Sequence, residues 1–355
     1  MALAHRIPKV HLHCHLEGSL RGATFVELAG KHGVPLRYRP PGRDAGAFVG
    51  DQGEPVDPAD PYRFKDFQEF LLAFAAVSRA LQEPDDYARL AAEFVEDALA
   101  QNVMYGELFV SPSVWTFFHA NLDVRETIAA IVAQLRAARP RATFALIVDL
   151  TRNFGQARAL RTAKLATTLA DLDVIGIGLG GDEARFPPEL YADAFAYARA
   201  AGLHCVAHAG EAAGPASVRA AVERLRAQRI GHGIAALQDP ALVELLANER
   251  VPLEICPTSN AVTGAALPGR HAFLEFDRAG CIVTIDADDP TMFHTSIADE
   301  YALVESIAGS DTLTRYVRNA VDASFAEPHL KAAMHARLAT ELDAVRRNEV
   351  GHVGP

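Results

Sequence analysis

Histidines and carboxylates recur in this chain at intervals that suit a metal site better than a plain hydrophobic core. The run HLHCHLEG carries His11, His13 and His15 on alternate positions. VAHAGE supplies His208 and Glu211, RIGHG supplies His232, and IDADDP supplies Asp286, Asp288 and Asp289. Imidazole nitrogens with a carboxylate form a donor set for zinc, a borderline metal. Bound zinc lowers the pKa of water from 15.7 towards ~7, so hydroxide becomes available at neutral pH. The chemistry on offer is metal-assisted hydrolysis. Each fragment alone is weak. An isolated HxH is more often incidental, a lone His208 or His232 more often a hydrogen-bonded core residue, and the Asp pair before Pro290 also suits a helix cap.

The elements that carry these residues give them weight. Short β-rich runs are expected at Val10–His15, Met104–Val110, Phe144–Asp149, Val174–Gly178, His204–His208, Ile230–Gly233, Pro252–Ile255 and Ile282–Ala287. Between them lie segments such as PDDYARLAAEFVEDALAQ and RETIAAIVAQLRAAR, with apolar residues at three- and four-residue spacing. Eight strands alternating with helices predict an α/β fold with a closed (β/α)8 barrel of the TIM type. An open doubly wound sheet is the alternative, but the first strand has no GxGxxG turn. Strand alternation places His11, His13 and His15 on one face. In a barrel the ends of strands one, five, six and eight converge on the C-terminal mouth, and one metal satisfies groups that would be costly to bury unpaired. A second metal would need a bridging carboxylate or a modified lysine. VIGIG in the fourth strand offers neither, and Lys9 lies at the wrong end of the first, so one metal per subunit is expected.

Composition narrows the partners. The chain has 355 residues, read as one domain with a Pro-, Gly- and Asp-rich loop insertion at 37–62. That loop is read either as a lid over the mouth or as a solvated insertion. Basic residues number 34 against 45 acidic ones, a net charge of −11, with no basic block to engage nucleic acid or an anionic membrane. The four cysteines are scattered and MALAHRIPKV has no apolar core long enough for a signal peptide, so a cytoplasmic protein acting on a small molecule is expected. A homo-oligomer is left open.

The motifs, taken in order, resemble the adenosine deaminase family within the amidohydrolase barrels. PKVHLHCHLEGSLR is similar to the family's PKxxLHxHLxGS, and GLGGDE to its xLAGDE. HAGE and RIGHG match, CPTSN is similar to CPxSN, and DADDP resembles xTDDP. The zinc deaminases of cytosine carry HxE and PCxxC, which are lacking. The resemblance implies that His13, His15, His208 and Asp288 ligate one zinc. It implies that Glu211 protonates the purine ring nitrogen, His232 handles the proton of the attacking water, and Asp289 contacts the five-membered ring. Gly181 would let the backbone approach the purine. The implied reaction is hydrolytic removal of a purine 6-amino group as ammonia.

Departures bear on the substrate. Glu17 stands where adenosine deaminases usually have Asp, as in adenine deaminases, where the longer side chain crowds out the sugar. ELFVSPS replaces the adenine deaminases' FFDPQ, with Ser111 for their aspartate and Phe109 where many adenosine deaminases have Arg. A third subfamily acts on 6-amino-6-deoxyfutalosine, a nucleoside with a benzoate tail. Phe109, Trp115, Phe117 and Arg152 are the residues expected to line room for such a group, although core packing explains aromatics equally well.

Overall fold

The computed structural model describes residues 3–38, 54–64, 67–266 and 269–350. Eight parallel strands follow one another in chain order: β1 Lys9–His15, β2 Val103–Val110, β3 Thr143–Thr151, β4 Val174–Gly180, β5 His204–Ala209, β6 Arg229–His232, β7 Leu253–Ile255 and β8 Val283–Ile285. The chain closes into a barrel where β8 returns to β1. There the Asp288 amide donates to His13 O at 3.0 Å and the His15 amide to Asp288 O at 2.8 Å. Asp286 adds to the seam, its Oδ1 accepting the Leu12 and His13 amides at 2.6 and 3.1 Å. His11 serves the same join, with Nε2 accepting the Ala287 amide at 3.1 Å.

The expected strands match within a few residues, with two instructive differences. β3 and β4 run two residues further than expected, to Thr151 and Gly180, because the ladder between them continues through the pairs Leu150–Leu179 and Thr151–Gly180. β8 is short because Asp288 adopts φ +62°, a conformation uncommon outside glycine. The expected loop at 37–62 falls partly on undescribed residues. Of its described parts, Arg37–Tyr38 pairs antiparallel with Glu54–Pro55.

Side chains pointing out of the strands pack under the surrounding helices and form the large apolar core. The inside of the barrel is different. Its apolar filling includes Phe109, Ile147 and Val206, against which Phe325 packs. Beside them the Arg229 guanidinium, 1% exposed, is held between Glu107 and Glu254 and lies 3.8 Å from the centre of the Phe325 ring. A buried cation with two carboxylate partners avoids the penalty of an unpaired charge. The segment after the long helix Ile297–Ala323 thus closes the barrel floor, while the mouth stays free for chemistry. No helix among the described residues is long and apolar enough to cross a membrane.

Candidate metal centre and active site

Four strand ends deliver nitrogen and oxygen donors to one point at the mouth. His15 Nε2 lies 3.0 Å from His208 Nε2, and Asp288 Oδ1 lies 3.3 Å from His13 Nε2 and 3.5 Å from His15 Nε2. Ligands ~2.0–2.1 Å from a tetrahedral zinc stand about 3.3 Å apart, so these separations are the edges of such a polyhedron. His13 Nε2 is buried and has no hydrogen-bond partner. His232 belongs to the same cluster but stands further off, 3.9 Å from Asp288 Oδ2. The donor set and its spacing fit one metal ion.

Partners behind the rings aim their nitrogens. His208 Nδ1 donates to Leu179 O at 3.1 Å, and His232 Nδ1 donates to Asn260 Oδ1 at 2.8 Å. His13 Nδ1 lies 2.7 Å from Glu254 Oε2. Each contact leaves Nε2 bare towards the centre, as a metal-binding or proton-accepting imidazole requires. Burial pulls His15 down to about 3 and His208 well below its ordinary value, so both are neutral donors. Burial alone would raise Asp288, but the adjacent His13 ring and the other nearby imidazoles hold it well below the usual carboxylate range. Ser259 Oγ donates to its other oxygen at 2.6 Å.

Close packing makes Gly231 a sensitive point. A Cβ there would sit 2.5 Å from His13 Cε1. We expect Gly231→Ala to tilt the His13 ring off Glu254 and to weaken zinc binding ~10–100-fold, the range seen when partners of ligands are disturbed. Competition with a chromophoric chelator measures this; unchanged affinity would mean that the ring is free to move.

Glu211 and His232 face each other across the cluster, with Glu211 Oε2 3.6 Å from His232 Nε2. Burial pushes the Glu211 carboxyl up to about 7, with the Asp288 and Glu183 charges adding to it against His232. Its loop is fixed by Glu183, whose carboxylate accepts the amides of Gly210, Glu211, Ala212 and Ala213. Asp289 lies beside Asp288, and burial with that neighbouring charge pushes it well above its ordinary value. It reaches this position because residue 18 is glycine: a Cβ there would fall 1.9 Å from Asp289 Oδ1.

These groups open on a cavity of roughly 760 Å³, including its mouth. Its floor carries His15, Asp149, Glu183, Glu211, Asp288 and Asp289, and one wall is apolar, built by Phe67, Phe70, Leu71 and Phe74 of the helix Phe67–Ala80. Of the expected substrate contacts, Ser111 and Gly181 line this cavity. Glu17, Phe109 and Arg152 do not. The Glu17 carboxylate is fully buried, its Oε1 accepting the Ser111 amide at 2.9 Å and the Trp115 indole N–H at 2.7 Å. Phe109 lies against the His15 ring, centroids 5.0 Å apart. Arg152 donates to Phe186 O and His208 O at 2.7 and 2.6 Å, tying β5 to the loop after β4. Trp115 is buried beside Tyr87, and Phe117 is 45% exposed.

The Glu17 arrangement gives a direct test. Glu17→Ala leaves two buried N–H donors without an acceptor and should cost about 2–6 kcal/mol, since each such donor costs ~1–3. Glu17→Gln keeps the accepting oxygen and should lose much less. Chemical denaturation of both variants checks the ranking; equal losses would contradict it.

Sequence reasoning assigned no role to Glu254, Glu183, Ser259, Asn260 or Asp149. Glu183, Ser259 and Asn260 lie inside the quoted runs GLGGDE and CPTSN, so their motifs were visible. Glu254 and Asp149 had only a weaker signal, a lone carboxylate in an apolar strand.

Comparison with known proteins agrees with this geometry. The profile of the family described as Adenosine deaminase matches residues 8–341. An adenine deaminase of Chelativorans sp. (strain BNC1) is 36% identical over 93% of this chain and 97% of its own. An aminodeoxyfutalosine deaminase of Streptomyces avermitilis is 36% identical over 95% of this chain and 90% of its own. Among solved structures, an amidohydrolase from Burkholderia ambifaria with bound Zn superimposes with a TM-score of 0.83 at 29% identity, covering 98% of this chain and 94% of that one. The barrel, the ordered strand-end motifs and these likenesses together place the chain in the adenosine deaminase family, as a hydrolase that deaminates a purine.

Proposed function

We propose that this enzyme hydrolytically deaminates the 6-amino group of a purine nucleoside, with one zinc per subunit held by His13, His15, His208 and Asp288. The observation that carries the choice of a nucleoside over the free base is the Glu17 carboxylate. Its Oε1 is held by the Ser111 amide and the Trp115 indole, its Oε2 is buried without a hydrogen-bond partner, and the residue does not line the cavity, so it does not fill the space that a sugar would need. The aromatic face of Phe67, Phe70 and Phe74 favours a substrate with an apolar or aromatic substituent beyond the sugar, as in 6-amino-6-deoxyfutalosine.

Zinc, when bound, supplies the Lewis acidity that makes water nucleophilic at neutral pH. The protein's own groups do the rest. Glu211, protonated, donates to the ring nitrogen adjacent to the carbon under attack, where electron density builds. His232 Nε2, bare because Asn260 holds Nδ1, accepts the proton of the attacking water. Asp289 and the Gly181 backbone orient the purine. Water adds to the carbon, the C–N bond breaks, and the amine leaves as ammonia after receiving a proton.

Steady-state ammonia release from adenosine, 6-amino-6-deoxyfutalosine and adenine tests the substrate. We expect kcat/KM for one nucleoside to exceed that for adenine by about 100-fold or more, the scale of several lost contacts. A preference for adenine would overturn the nucleoside reading and leave the deaminase chemistry in place.

A further inference from the structure

We propose that Arg229 is a positioning residue for the metal centre. From the barrel floor it fixes the Glu254 carboxylate, and through that carboxylate the His13 ring. The inference rests on the reading of His13 as a zinc ligand. Arg229 lines neither the cavity nor the donor cluster, so its effect passes through Glu254.

The contacts run without a break from the floor to the ligand. Glu254 Oε2, on β7, lies 2.7 Å from His13 Nδ1, and Oε1 accepts from Arg229 Nε at 2.5 Å. Arg229 opens β6 and also donates from Nη2 to Glu107 Oε2 of β2 at 2.5 Å, and from Nη1 to Ala323 O at 3.1 Å. Glu107 Oε1 in turn accepts the Tyr105 hydroxyl at 2.8 Å and the Phe325 amide at 2.6 Å. Every guanidinium nitrogen and every oxygen of the two carboxylates is engaged. The Phe325 ring lies under the guanidinium and stacks on the His204 ring, centroids 4.0 Å apart.

This arrangement does more than neutralise charge. The guanidinium is planar and its donors stand in a fixed fork. With Oε1 tied to Nε, the Glu254 carboxylate cannot turn without breaking that bond, so Oε2 stays aimed at His13 Nδ1. An ionised carboxylate only accepts hydrogen bonds. It therefore takes the proton on Nδ1 and leaves Nε2 bare towards the other donors. A lysine would supply the same charge as a point, without the fork that aligns both carboxylates.

Zinc affinity, measured by chelator competition on folded protein, tests this. Arg229→Lys should weaken it about tenfold, the lower end of the range for disturbed outer partners of a ligand. The visible bands of cobalt-substituted protein, which report ligand geometry, should shift in the same variant. A double-mutant cycle separates positioning from lost packing. Glu254→Leu leaves Arg229 paired with Glu107, and in that background Arg229→Lys should change zinc affinity by less than twofold. Where Arg229→Lys does not fold, Arg229→Met with Glu107→Gln removes one charge of each sign and should weaken zinc at least as far. Zinc affinity within twofold of wild type in either Arg229 variant, or an equal loss in the Glu254→Leu background, would overturn the proposal and leave His13 a ligand. Wild-type protein that binds no zinc would refute the metal reading, and this inference with it.

Discussion

Replacing Glu211 by Gln should reduce kcat by about a thousandfold while leaving zinc in place. General acid catalysis contributes ~10²–10⁴ in rate, and the amide of Gln can donate a hydrogen bond but cannot transfer a proton. The variant is nearly isosteric, and four backbone amides bound to Glu183 hold the loop independently of residue 211's side chain. The pH profile adds a second signature. The wild-type carboxyl, pushed up to about 7 by burial, is active in its protonated form, so the rate should fall as pH rises through that value. In Glu211→Gln that limb should vanish with the activity. Full turnover in this variant would remove Glu211 from the mechanism.

The second large effect concerns the metal. His13→Ala removes a donor whose Nε2 is buried and otherwise unpartnered, and Asp288→Ala removes the carboxylate that approaches both His13 and His15. Either should abolish zinc binding and, with it, turnover. Stability provides a readout besides activity. Zinc at ~1,000 times its dissociation constant stabilises the native state by about 4 kcal/mol, so wild-type protein should show a clear rise in Tm on zinc addition. Both variants should show none. A zinc-dependent rise that survives in His13→Ala would exclude it from the ligand set.

How far the sequence could be read depended on where each residue sits in its element. While a strand lasts, the two-residue period states which way a side chain points, and His13, His15 and His208 fall on the inward face as expected. Beyond the last paired residue the period stops. Glu17 lies in the tight turn Glu17–Ser19, and only the tertiary position of Trp115 decides that its carboxylate turns away from the cavity. Arg152 opens another such turn, Arg152–Phe154, and its long side chain reaches backbone carbonyls that no sequence pattern signals. Phe109 keeps the strand period, yet facing inward placed it against the histidines, outside the cavity lining. Glu254 was hidden for another reason: its value comes from a His13 that is 241 residues away. Asp149 had a visible signal, a carboxylate in TFALIVDLT, but the room it occupies is made by the glycines of β4 opposite.

The most direct test of the central claim is ammonia release from a 6-aminopurine nucleoside by metal-free protein before and after zinc is restored. Turnover should be negligible without metal and recover at one zinc per subunit, with conversion of the amine to the oxo product. Zinc-saturated protein that leaves adenosine, 6-amino-6-deoxyfutalosine and adenine all intact would contradict it.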